Sequence, residues 1–162
     1  MLCHLHQMTR RDLLKANLKE SLEQLESATA IFTRTFDEVR GLPLKDYQRI
    51  SDINWETLKD IETLTARFAR LSDIFVQKIL RLIDIIELVN EGSILDRINR
   101  AEKRHLIKSS ETLVAIRDLR NDISHDYLPD ELLKIYNEVI KYSPELIKAC
   151  ELTIQYAKKL LS

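Results

Sequence analysis

Apolar residues recur along this chain at intervals of three, four and seven, which is the spacing of one helix face. The clearest early series covers residues 9–39. Its members are Leu14, Leu18, Leu22, Leu25 and Phe32. Thr9 followed three residues later by Asp12 has the form of an N-terminal capping box, and Gly41 stands where such a helix would stop. The pattern therefore predicts a first long helix over residues 9–39.

A second long apolar series begins near Asn54 or Trp55, after a short irregular piece with room for one helical turn. It continues to Gly92, which is predicted to end it. The second half of this series, residues 79–89, is apolar around more than one face. Such a helix has to be covered on two sides, by the rest of the fold and, as one possibility, by a second subunit.

Shorter segments with their own start signals follow. Ser93 with Asp96 predicts another capping box, which opens a helix over residues 94–107. Ser109 or Ser110 can cap the helix after it. These signals predict one short helix and one medium helix between the second long helix and the C-terminal third.

Two prolines divide the C-terminal third. Pro129 disfavours helical geometry at the residue before it, so the medium helix should end close to residue 126 or 127. Pro144 directly after Ser143 has the form of an N-cap followed by proline at the first helical position. The helices predicted here cover residues 130–142 and 144–161.

These elements predict an all-α fold, an antiparallel up-and-down helical bundle with four principal helices and one or two short extra ones. The 162 residues include only two Gly and three Pro, which fits long helices with short connections. We expect a ragged N-terminus over residues 1–8 and a single helical domain over residues 9–162.

Charge and cysteine content narrow the functional classes. The formal net charge is −1, so any contact with a polyanion has to come from a local patch. Cys3 and Cys150 lie far apart, without metal-ligand spacing or a disulfide framework, which favours a reducing, cytoplasmic compartment. Residues 79–89 are too short and too charged to cross a bilayer, and no secretory signal is visible, so no membrane association is expected.

One polar segment, residues 120–127, stands apart from the rest of the chain. Its sequence is Arg-Asn-Asp-Ile-Ser-His-Asp-Tyr. Arg120, Ser124 and Tyr127 would share a helix face, whereas His125 lies about 140° around the helix from Arg120. Polar clusters are common at helix ends, so a purely structural role is the alternative interpretation.

The order of Arg120, four residues, His125, one residue and Tyr127 resembles the signature of the HEPN superfamily. More specifically, it is similar to the toxin that is paired with a minimal nucleotidyltransferase antitoxin. Asn121 directly after the arginine also matches, and the resemblance covers residues 57–161. It implies a metal-free endoribonuclease without a cofactor, with a site assembled across a homodimer.

Each residue of the motif has a role under this resemblance. His125 would take the proton from a ribose 2′-hydroxyl or give one to the leaving 5′-oxygen, since an imidazole can act as a base or as an acid near neutral pH. Arg120 would stabilise charge on the scissile phosphate, and Asn121 would orient the histidine or the phosphate. Tyr127 would be modified with AMP by the nucleotidyltransferase antitoxin, or would simply pack the helix end.

A basic stretch just before the motif helix is a second candidate surface. Its candidate RNA-binding residues are Arg97, Arg100, Lys103, Arg104 and Lys108. Five cations and one carboxylate, Glu102, give residues 97–108 a formal charge of +4. They would contact RNA phosphates near the same cleft, or would form an ordinary solvated helix face.

Three functions remain open at this point. The first is a toxin that cleaves RNA and is held in check by a nucleotidyltransferase antitoxin. The second is a non-catalytic subunit that binds substrate or nucleotide for a nucleotidyltransferase, with Arg120 and His125 as phosphate ligands. The third is a structural bundle that oligomerises through residues 79–89. The intact motif favours the first over the third and does not separate the first from the second.

Overall fold

A computed structural model describes residues 8–42, 44, 47–125 and 128–162, and all regular structure in these residues is helical. The helices are α1 (Arg10–Val39), α2 (Trp55–Asp73), α3 (Arg81–Ile86), α4 (Ile94–Lys103), α5 (Ser110–Ser124) and α6 (Glu131–Leu161). A π-helical segment (Ile74–Leu80) joins α2 to α3, and a single 3₁₀ turn (Ile50–Asp52) precedes α2.

The helices form an antiparallel bundle with four principal members, as the sequence predicts. These members are α1, the continuous rod of α2, π segment and α3, then α5 and α6. Two contacts show that α1 and the rod run in opposite directions. Arg67 Nη1 donates to Thr35 Oγ1 at 2.6 Å, and Lys78 Nζ donates to Gln24 Oε1 at 3.0 Å. The short α4 packs against α5 and the π segment.

Four of the predicted helix starts are confirmed by hydrogen bonds at the caps. Thr9 and Asp12 form the capping box of α1, and Ser93 and Asp96 form that of α4. The side chains of Asn54 and Ser109 accept hydrogen bonds from backbone N–H groups at the starts of α2 and α5. Each cap satisfies an N–H that has no partner within its own helix.

The predicted break at Ser143 and Pro144 is wrong, because α6 is one helix of 31 residues with Pro144 inside it. Its buried residues keep alternating steps of four and three through this point. They include Leu132, Tyr136, Val139, Ser143, Leu146, Cys150, Thr153 and Ala157. The Ser143 hydroxyl donates to the Val139 carbonyl at 2.5 Å instead of capping a new helix. Packing of one unbroken apolar stripe therefore overrides the local proline signal.

The rod ends earlier than predicted, at Ile86 rather than at Gly92. The bundle itself covers most of residues 79–89, since Ile79 and Ile83 are fully buried while Leu88 is 87% exposed. Gly92 lies beyond the helix at a φ of 91°, where a Cβ atom would collide with the capping carboxylate of Asp96. Glycine is therefore needed at position 92 to let the Asp96 carboxylate approach the backbone, and not to end the helix.

The helix α4 also ends before its predicted limit, at Lys103, so the expected extension to residue 107 is not helical. The helix α5 ends at Ser124 with His125 as its C-cap, close to the predicted end at residue 126 or 127, and these two residues lie outside the described part of the chain. His105, directly after the α4 cap, has a φ of 59°. No helix in the described part of the chain is long and apolar enough to cross a membrane.

A strained turn closes the rod. Leu88 adopts a φ of 61°, its N–H donates to the Ile85 carbonyl at 3.1 Å, and the Val89 N–H donates to the Asp84 carbonyl at 2.9 Å. This is the double hydrogen bond of a Schellman motif, whose left-handed position normally holds glycine. A leucine there costs about 1–2 kcal/mol of backbone strain.

Leu88→Gly should therefore stabilise the protein. The exposed side chain contributes little packing, so relief of strain outweighs the extra chain entropy by about 1 kcal/mol. Thermal unfolding should shift upward by about 2–4 °C. Leu88→Ala is the matched control, because it removes the side chain but keeps the Cβ atom. Equal effects of the two variants would show that strain at this turn is not the cause.

Candidate functional site

The motif residues lie in the last turn of α5 and at its C-cap. The Ser124 hydroxyl donates to the Arg120 carbonyl at 3.2 Å, within this turn. His125 is the C-cap residue, with extended backbone angles of −87° and 156°. Its N–H donates to the Asn121 and Asp122 carbonyls at 3.1 and 3.3 Å, and its side chain is exposed. The backbone of His125 is thus fixed while its imidazole is accessible.

Arg120 reaches across to the junction of α2 with the π segment. Its Nε donates to Asp73 Oδ1 at 2.7 Å and its Nη2 donates to Oδ2 at 2.8 Å, a two-pronged ion pair. The hydrogen bonds that Arg120 donates to the carboxylate of Asp73 raise the pKa of Arg120. Nη1 lies 3.5 Å from Oδ1 of Asn121, a distance at which any hydrogen bond is weak. Asp73 therefore fixes the plane of the guanidinium.

An open groove of about 740 Å³ lies beside this ion pair. Its lining residues come from α1, α2, the π segment and α5. Four of these residues carry positive charge, namely Arg70, Lys78, Arg117 and Arg120. Asp73 is the carboxylate among the lining residues, and Asn121 also faces the groove. The groove is consequently a place where an anion is attracted.

His125 lines a different depression, of about 280 Å³, between α5 and α6. Its charged neighbours there are Asp122, Glu131, Lys134 and Glu138. Within one subunit, Arg120 and His125 thus open onto separate depressions, as their 140° separation around the helix requires. Tyr127, the candidate for modification, lies outside the described residues.

The predicted basic stretch is largely committed to one buried carboxylate. Asp84, in α3, is 1% exposed. Arg104 Nη1 lies 2.6 Å from its Oδ1, Arg100 Nη2 lies 2.9 Å from its Oδ2, and Arg97 Nε lies 3.9 Å from the same Oδ2. Arg104 Nε also lies 3.5 Å from Glu87 Oε1. These arginines hold α4 on the end of the rod.

The same arginines make further contacts within the protein. Arg97 Nη1 donates to the Val76 carbonyl at 3.3 Å, and Arg100 Nη1 donates to the Glu91 carbonyl at 3.1 Å. Burial lowers the pKa of Arg97, and the charge of Asp84 opposes this effect. Lys103 and Lys108, the other two candidates, are exposed. The RNA-binding interpretation assumes that all five candidates are accessible, whereas the two lysines are the exposed ones among them.

Asp73 and Asp84 are two carboxylates of this region that sequence reasoning missed, along with the groove cations Arg70, Lys78 and Arg117. Asp84 carries a signal that could have found it. A carboxylate between Ile83 and Ile85 in an apolar helix has to be paired if the helix is buried, and arginines follow on α4. Asp73 carries no comparable signal, because its pairing with Arg120 depends on how the rod packs against α5.

Loss of the buried charge should destabilise the fold strongly. Asp84→Asn leaves three arginines around a neutral group, and breaking a buried pair of this kind costs about 3–5 kcal/mol. Urea unfolding measures the change. Asp118→Asn, at an exposed position of α5, is the control and should change stability by less than about 0.5 kcal/mol. A similar small change for Asp84→Asn would contradict a structural role for the cluster.

Comparisons with protein-family models, curated proteins and solved structures found no match for this chain. In residues 8–42, 44, 47–125 and 128–162, His, Cys, Asp and Glu side chains form no group of three or more that could hold a metal ion. The features that indicate a function are therefore the motif of α5 and the geometry around it.

Proposed function

We propose that this protein is a HEPN-type endoribonuclease toxin, controlled by a nucleotidyltransferase antitoxin. The observation that carries the proposal is the placement of the motif. Arg120 lies at a positively charged groove, and His125 is exposed at the cap of the same helix. The all-helical fold is the scaffold that the motif resemblance implies.

Arg120 is suited to bind a phosphate while it remains paired with Asp73. A guanidinium has five N–H donors, and the two hydrogen bonds to Asp73 leave three for another ligand. The fixed plane lowers the entropy lost when those donors meet a phosphate. Arg120 would thus stabilise the negative charge that develops on the scissile phosphate, with Asn121 beside it to orient the substrate.

His125 is suited to transfer protons because its imidazole faces solvent at a rigid backbone position. As a base it takes the proton from the ribose 2′-hydroxyl, whose oxygen then attacks the phosphorus. A second imidazole donates a proton to the leaving 5′-oxygen. This scheme yields a cyclic phosphate and a 5′-hydroxyl, and the protons balance between the two imidazoles.

A homodimer supplies the second imidazole. Arg120 and His125 of one subunit line different depressions, so a single subunit does not present them to one phosphate. Two-fold packing near the end of α5 would bring both copies of the motif together. In that arrangement one His125 acts as the base and the other as the acid.

Control by the antitoxin would act at Tyr127. Transfer of AMP from a nucleoside triphosphate to its hydroxyl releases pyrophosphate and leaves a phosphodiester two residues after His125. The added negative charge and bulk would exclude RNA phosphates from the composite site. The competing function, a nucleotide-binding subunit of a nucleotidyltransferase, shares the phosphate role of Arg120 but needs no proton transfer.

His125→Ala should abolish RNA cleavage while RNA binding persists. Loss of a general acid or base lowers the rate by a factor on the order of 10²–10⁴. Growth of bacteria that express the protein without an antitoxin, together with the integrity of their RNA, measures the effect. His105→Asn is the matched control, since it removes an exposed imidazole outside the motif and tolerates the positive φ.

Three outcomes separate the functions. Toxic wild type with a harmless His125→Ala variant supports the ribonuclease. Intact RNA with both proteins, together with retained nucleotide binding, would favour the binding subunit. If the protein shows neither RNA cleavage nor nucleotide binding, the structural bundle is the function that remains.

The dimeric site makes its own prediction. A heterodimer of one wild-type subunit and one His125→Ala subunit, isolated through two different affinity tags, lacks either the acid or the base. Its cleavage rate should approach that of the His125→Ala homodimer, lower than wild type by a factor on the order of 10²–10⁴. Half of the wild-type rate would instead show that each subunit carries an independent site.

A further inference from the structure

The groove at Arg120 continues along the seam between α1 and the rod. On one side it adjoins a depression of about 290 Å³, with which it shares Gln24 and Arg70. On the other side it adjoins one of about 500 Å³, with which it shares Gln24, Gln77 and Lys78. The three depressions form one trough, which we call the seam trough.

The seam trough is strongly cationic in a nearly neutral protein. Six cations line it, namely Arg67, Arg70, Lys78, Arg81, Arg117 and Arg120. The lining carboxylates are Asp73, which is paired with Arg120, and Glu20. Six cations minus two carboxylates give a charge of +4, whereas the whole chain has a net charge of −1.

Most of this charge is available to a ligand. Among the described residues, Arg70, Arg81 and Arg117 have no carboxylate within 4.0 Å. Lys78 donates to the neutral amide oxygen of Gln24. Cations crowded together without carboxylates repel one another. The entry of an anion into the trough relieves this repulsion and lowers the free energy. In contrast, Arg97, Arg100 and Arg104 are all directed at the carboxylate of Asp84.

The cations along the rod lie in a row that spans the π segment. This segment lies between Arg70 on α2 and Arg81 on α3 and carries Lys78 itself. Arg67 and Lys78, like Arg70 and Arg81, are eleven positions apart, close to three helical turns, and all four line the trough. From residue 67 to residue 81 the rod extends about 20 Å at roughly 1.5 Å per residue. The charges thus form a row and not a point.

We propose that the seam trough binds the phosphodiester backbone of RNA and leads it to Arg120. The elongated row of charge matches a chain of phosphates. Among the described residues, no aromatic side chain lines the trough, either as an anchor for a protein partner or as a platform for stacked bases. Binding is therefore expected to be independent of sequence and strongly dependent on salt. This inference rests on the proposed function for its choice of RNA.

Charge reversal in the trough provides the test. The probe is a short 2′-O-methyl oligoribonucleotide of mixed sequence, which lacks the attacking hydroxyl and so separates binding from cleavage. Arg70→Glu with Arg81→Glu should weaken binding by roughly tenfold or more and reduce the slope of log affinity against log salt by about 1.4. Arg67 and Arg120 are left intact, because they contact Thr35 and Asp73.

Two matched double variants locate the site. Lys141→Glu with Lys148→Glu reverses two exposed charges on α6, and Lys103→Glu with Lys108→Glu reverses the accessible lysines of the basic stretch. Both should bind the probe nearly as wild type does. Weakening by the second pair but not by the trough pair would overturn the proposal in favour of residues 97–108. Unchanged melting curves for all variants exclude unfolding as the cause.

The remaining outcomes show whether RNA is the ligand of the seam trough. A wild-type protein that does not bind the probe at about 50 mM salt overturns the trough as an RNA site. If that protein instead binds polyglutamate, and the trough pair abolishes this binding, the partner is an acidic polypeptide. Probe binding that depends on the trough, without cleavage of ordinary RNA, would sustain the trough while the ribonuclease proposal fails.

Discussion

Much of the surface chemistry of this protein depends on the buried carboxylate of Asp84. A charge that is 1% exposed is tolerated in a helical core only when cations and hydrogen bonds compensate for its lost hydration. Arg100 and Arg104 supply this compensation from α4, with Arg97 farther away. The pairing docks α4 onto the rod and withdraws three guanidinium groups from other roles. Which cations remain for a ligand therefore follows from a folding constraint.

The fold could be predicted from the sequence because its main determinants are local and periodic. Apolar spacing locates the principal helices, and short polar side chains such as Thr9 and Asn54 mark where they start. Errors arise where packing outweighs a local signal, as at Pro144, or where the backbone adopts a costly conformation without glycine, as at Leu88. The periodic pattern of apolar residues predicts neither the unbroken helix at Pro144 nor the positive φ at Leu88.

The candidate site was only partly predictable. The motif of α5 identifies Arg120 and His125 as candidate site residues, and helical geometry predicts that they point in different directions from the helix axis. The partner of Arg120, in contrast, is 47 positions away at Asp73, and the cations of the seam trough lie on both sides of a π segment. These contacts depend on the register between helices. A formal charge of +4 over residues 97–108 likewise does not reveal that three of its arginines point inward.

Asp73 connects the structural and the chemical parts of the site. A lone arginine at the edge of an open groove would sample many rotamers, and fixing it upon substrate binding would cost conformational entropy. The pair with Asp73 fixes the side chain beforehand, and both partners are partly exposed, so desolvation costs little. The carboxylate also neutralises one charge of the groove, which weakens the long-range attraction of an anion at that point. In the proposed ribonuclease, the cations of the seam trough would compensate for this loss by attracting the RNA from a distance, while Arg120 would act at short range through oriented donors.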